Sequence, residues 1–185
     1  MKRNIFFKTI LLILLLLQIY SVFIFVFSKE YLEAIGIFLI LLFNMFILVF
    51  QKITNIHINQ LSILLIFILS TFHSFFGKTL KLYDNTLWWD KFLHFYGTLS
   101  ASLLCISFFK KLNFLKNNSK PFIFIFTFIL GGFLGQLFEV LEHTIDALSS
   151  AQSQHGLNDT MIDIILNNIG GLIAAFLTLN KKSYD

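Results

Sequence analysis

The chain has 185 residues, of which 57% are hydrophobic and 13% charged, with 25 Phe, a net charge of +4 and a mean hydropathy of +0.80. That composition excludes a soluble globular domain and leaves no room for one beside a set of membrane spans. The basic residues sit in connections between apolar runs and build no basic face, so the positive charge is no argument for nucleic acid.

Six apolar segments follow along the chain, at about 5–27, 34–50, 61–76, 92–109, 122–141 and 160–179. Each approaches the ~20 residues that cross a hydrocarbon core, which predicts an all-α polytopic bundle in a single membrane domain, 1–185. The first run follows Lys2, Arg3 and Lys8 but is too long for a signal-peptide core and lacks a small-x-small cleavage site, so it reads as a retained span. The second and third are short, and one of them reads as a candidate re-entrant segment. Pro121 stands where the fifth begins, a place where its missing N–H costs nothing. Cys105 lies alone in mid-span, which leaves no disulfide or thiolate metal site within one chain.

Lysine placement sets the orientation. With the N-terminus inside, ten Lys and Arg fall on cytoplasmic segments, and only Lys29, Lys78, Lys81 and Lys91 on outer ones. Both termini are then cytoplasmic, in a bacterial plasma membrane. The acids fall the other way, with only Asp185 inside.

Three clusters gather at the outer ends of spans four to six. Asp90 and His94 are four residues apart on the fourth. Glu139, Glu142, His143 and Asp146 form an i, i+3, i+4, i+7 stripe on the fifth. Asp159, Asp163 and Asn167 descend one face of the sixth. At 1.5 Å per residue Asp163 lies about 6 Å and Asn167 about 12 Å below Asp159. A carboxylate at Asp163's depth needs a compensating cation or proton. Plainer roles compete: Lys91, Trp88 and Trp89 suit an interface anchor, Asp159 a helix cap, and His57, His73, Asp146 and His155 packed or solvated positions. The small residues Gly131, Gly135, Gly170, Gly171 and Ala175 predict close packing of spans five and six.

The pattern Asp90-Lys91-x-x-His94-Phe95-x-Gly97, Gly135-x-x-x-Glu139-x-x-Glu142, Asp163-x-x-x-Asn167-x-x-Gly170 resembles VanZ-like membrane proteins. The added Asp159-Thr160-x-x-Asp163 and the Glu pair are similar to the YjdF-like branch. The resemblance covers about 84–175 and implies an envelope-associated integral membrane protein with no assigned reaction.

Three classes of function fit. In the first, a metal-dependent enzyme acts on a lipid or lipid-linked envelope substrate. Glu139, Glu142, His143, Asp163 and His94 then supply ligands for one Zn²⁺, Mn²⁺ or Mg²⁺, and Asn167 adds a carbonyl oxygen below. In its metal-free form His94, held by Asp90, is the general base and Asp163 an orienter, with Asp159 supporting. The second class is a non-catalytic protein that binds a lipid or envelope partner. The third is a cation- or proton-coupled transporter.

Overall fold

The computed structural model describes residues 2–148 and 156–179. Its helices are α1 (Lys2–Phe27), α2 (Tyr31–Thr54), α3 (Gln60–Thr71, continued as a π-helical Phe72–Thr79), α4 (Leu82–Asn85), α5 (Trp89–Lys111), α6 (Lys120–Leu148) and α7 (Leu157–Thr178). No strand occurs among the described residues. All but α4 are long and apolar enough to cross a membrane. The second and third segments, read as short, become helical stretches of 24 and 20 residues, each sufficient for the ~30 Å core.

The ends follow local chemistry. Asn59 caps α3 by accepting from the Leu61 N–H at 2.8 Å, and Ser119 Oγ takes the Phe122 N–H ahead of α6. Lys29, Asn55, Lys81 and Asn113 adopt positive φ, which lets the connections be tight. α7 starts after Gly156, whose φ of 104° suits glycine, and Asp159 lies in its first turn.

The chain divides into two compact units, one up to Trp89 and one from Asp90 onward. Inside the first, a run of buried amides and hydroxyls joins its spans. Asn44 Nδ2 donates to Gln18 Oε1 at 2.9 Å, Gln18 Nε2 to Thr71 Oγ1 at 3.1 Å, and Ser70 Oγ to Asn44 Oδ1 at 3.3 Å. In hydrocarbon such pairs replace the hydrophobic drive that holds soluble helices together. His73 meets the Tyr83 hydroxyl at 2.7 Å and His57 is exposed, both as the plainer readings anticipate. Trp88 is exposed, but Trp89 is buried against Phe72 and Phe76, a packing residue rather than the expected anchor.

In the second unit the buried face of α7 runs Asp163, Asn167, Gly170, Gly171, Ala174, Ala175, Thr178, an unbroken helical stripe. The opposite face carries exposed Met161, Ile165, Ile169 and Phe176, which in a membrane meets lipid. The expected small-residue contacts form. A Cβ on Gly131 would stand 2.6 Å from Gly171 Cα, and one on Gly170 would strike the Phe95 carbonyl oxygen of α5. Backbone-to-backbone approach at these two points brings α6 and α5 onto α7 and gathers the polar ends of all three.

Candidate functional site

The site lies in the second unit, where α5 and α7 begin and α6 ends. Buried His94 is its centre. Its Nδ1 lies 3.2 Å from Glu139 Oε1; its Nε2 lies 3.7 Å from Asp90 Oδ1, 3.8 Å from Glu142 Oε1 and 3.9 Å from Asp163 Oδ1. The three Nε2 separations exceed hydrogen-bond reach. The Asp90–His94 dyad imagined for general-base chemistry is thus not hydrogen-bonded. α6 continues as helix to Leu148, so the Glu139–Asp146 stripe is helical throughout.

Lys91 supplies the compensation that Asp163 requires. Its ammonium donates to Asp159 Oδ1, to Asp163 Oδ2 at 3.0 Å and to Asp90 Oδ2 at 3.1 Å, and so ties α5 to α7. This overturns its reading as an interface anchor. The side chain is four-fifths shielded, because its stem runs along the bundle and its head turns inward to the acids. Asp159, a turn above Asp163, is the upper jaw of the clamp. Asp163 is 2% exposed; its Oδ1, the oxygen not facing Lys91, has no hydrogen-bond partner.

Beneath lies Asn167. Thr98 Oγ1 donates to Asn167 Oδ1 at 2.6 Å, which turns the amide nitrogen toward Glu139 Oε1 at 3.5 Å, Gly135 O at 3.4 Å and His94 Nδ1 at 3.4 Å. The Asn167 carbonyl, expected to face an ion from below, is instead occupied by Thr98. Gly135 permits this, since a Cβ there would collide with Asn167 Cβ. Thr98 was not foreseen, although it falls one turn below His94 on the same face of α5.

His143 stands exposed on α6, and the grouping around His94 is complete without it. Asp146 is half-buried above. His155 lies outside the described residues. Two sets of donors each lie within 4.8 Å of one another: Asp90, His94 and Asp163, and His94, Glu139 and Glu142. Five carboxylates therefore share the site with one ammonium and one imidazole. Carboxylates this close ionise together only with cations or protons between them.

The family model for predicted membrane proteins designated DUF2238 matches residues 9–182. The chain belongs to this family. A Thermotoga maritima relative, described as an uncharacterized protein, is 34% identical over 155 residues, covering 82% of this chain and 79% of the relative. No solved structure matches. The protein is accordingly a multi-pass membrane protein with a His–carboxylate group able to hold a metal.

Proposed function

We propose that this site binds one divalent cation, Zn²⁺, Mn²⁺ or Mg²⁺, and serves a metal-dependent enzyme acting on a membrane lipid or lipid-linked envelope substrate. The observation that carries the reading is Asp163 Oδ1: a buried carboxylate oxygen with no hydrogen bond, 3.9 Å from His94 Nε2, which is itself 3.7 Å from Asp90 Oδ1. These gaps are too wide for hydrogen bonds. They approach the donor separation of about 3.3–3.4 Å around a tetrahedral ion with ~2.0–2.1 Å bonds, a difference that small side-chain rotations close. His94 with two carboxylates also leaves a position for water or substrate, as catalytic sites of this kind do. Glu142, half-buried at the mouth, is a further ligand or the base that takes a proton from water there. A bound ion would polarise a phosphoryl or acyl oxygen and make that water more acidic.

A lipid substrate fits the surroundings. The helix ends flanking the acids carry exposed Leu141, Ile145, Leu148, Leu157 and Met161, so an apolar tail can lie along them while its polar head reaches the carboxylates. The lysine bias puts this end on the extracytoplasmic side, and the resemblance to VanZ-like and YjdF-like proteins agrees with an envelope role. The Lys91 clamp favours a second reading, a non-catalytic lipid-binding protein whose acids hold helices together.

Elemental analysis and thermal shift of the detergent-purified full chain test the site. Wild type should carry near-stoichiometric metal, or be stabilised by Zn²⁺, Mn²⁺ or Mg²⁺, and Asp163→Asn should abolish both. Absence of metal and of cation-dependent stabilisation refutes the cation site. The enzymatic part is tested in proteoliposomes of radiolabelled bacterial lipids, where a chelator-sensitive product absent from Asp163→Asn is expected. A chelator-insensitive lipid profile identical in the two proteins refutes it.

A further inference from the structure

We infer that Glu139 is a positioning residue which holds His94 as the Nδ1-protonated tautomer, leaving the Nε2 lone pair facing Asp90, Asp163 and Glu142. The inference refines the cation site proposed above, and it replaces Glu139's role as a direct ligand. It starts from the two ring nitrogens, whose surroundings differ. Nδ1 has a carboxylate oxygen at 3.2 Å, whereas Nε2 has none closer than 3.7 Å. A proton on Nε2 would lack an acceptor within reach, and the bare Nδ1 would then face the Glu139 oxygen lone pair to lone pair. A proton on Nδ1 resolves both faults.

Asn167 strengthens the assignment. Thr98 consumes its carbonyl oxygen, so its amide must donate, and its two N–H groups have acceptors in Glu139 Oε1 and Gly135 O. It therefore needs no lone pair from the His94 ring. Glu139 Oε1 becomes the acceptor for both the ring and the amide, and the ring is fixed from two sides. Glu139 and His94 are 6% and 8% exposed, so little water competes for these bonds. A carboxylate behind an imidazole also raises the basicity of the opposite nitrogen and orients it toward a metal. Glu139 thus lies behind His94, and Asp90 and Asp163 lie ahead of it.

Two readouts on the full chain in detergent decide the matter. Nitrogen-15 NMR of histidine-labelled protein, with His94 assigned through His94→Gln, reads the tautomer in metal-free samples at alkaline pH. A protonated Nδ1 with a bare Nε2 is expected. That preference should vanish in Glu139→Leu, which keeps an apolar side chain in a buried position, and return in Glu139→Gln, which keeps an accepting oxygen. A doubly protonated or Nε2-protonated His94 in wild type, or an unchanged tautomer in Glu139→Leu, overturns the inference. In the second readout, Zn²⁺ affinity should fall about 10–100-fold in Glu139→Gln, the usual loss for an outer-shell partner, whereas Asp163→Asn abolishes binding. Equal abolition by both variants would make Glu139 a ligand and overturn the positioning role. If wild type binds no metal the cation site falls, while the NMR readout still decides Glu139.

Discussion

Replacing Lys91 by Met removes the ammonium and keeps most of the apolar stem, so it isolates the clamp between α5 and α7. Three carboxylates lose a partner, but not equally. The Asp163 side chain is 3% exposed, whereas those of Asp159 and Asp90 are 21% and 31% exposed and can turn to water. Leaving a buried charge unpaired costs about 3–5 kcal/mol, and the low end applies because Lys91 itself is partly solvated. The two outer pairs add about 0–1 kcal/mol each. A loss of about 3–5 kcal/mol corresponds to a fall in Tm of about 6–20 °C for a chain of this size, taking ~2–4 °C per kcal/mol. Thermal unfolding in detergent, followed by aggregation or intrinsic fluorescence, measures it. Asp163→Asn should remove much of the penalty, since it deletes the stranded charge, so the double variant should be distinctly more stable than the sum of the singles allows. A Lys91→Met protein within about 1 °C of wild type, or strict additivity with Asp163→Asn, would refute the clamp.

Two further outcomes follow from the orientation and from the first unit. A reporter fused after Lys116 should read cytoplasm and one near Ser150 the exterior, and the reverse pair would place the site on the inner face. Asn44→Leu should cost roughly 0.6–1.7 kcal/mol, the span measured for interhelical hydrogen bonds in membranes, because Gln18 Oε1 and Ser70 lose partners there. Unfolding in a denaturing detergent titration measures that loss, and an unchanged midpoint would show that the amide network adds nothing to stability.

What the chain discloses by itself depends on whether one element suffices to define a feature. Six spans are visible because apolar length is a property of each segment alone, and the stripe on α6 because helical spacing is local. The meeting of His94, Glu139 and Asp163 could be anticipated from one further step, the small residues that force α6 and α7 together. The amide network of the first unit could not. Gln18 and Asn44 are single polar residues on separate spans, and only the register between α1, α2 and α3 shows that they meet. His143 has the right spacing from Glu139 but ends on the exposed side of α6, because a helical stripe is wider than the contact it makes.

Lys91 shows why a residue type at a boundary is ambiguous. Beside Trp88 and Trp89, a lysine satisfies the description of an interface anchor and that of a buried counter-ion equally well. The difference lies in where its four-carbon stem points, which is set by what the neighbouring helix offers. Gly156 starts α7 just far enough ahead for Asp159 and Asp163 to stack one turn apart, so a single ammonium reaches both. The observed arrangement leaves each component a distinct task. Lys91 neutralises the outward oxygens of the three aspartates, and Glu139 and Asn167 secure His94 from behind. The remaining oxygens of Asp90 and Asp163 lie 3.7 and 3.9 Å from His94 Nε2, and it is on this geometry that the proposed cation site rests.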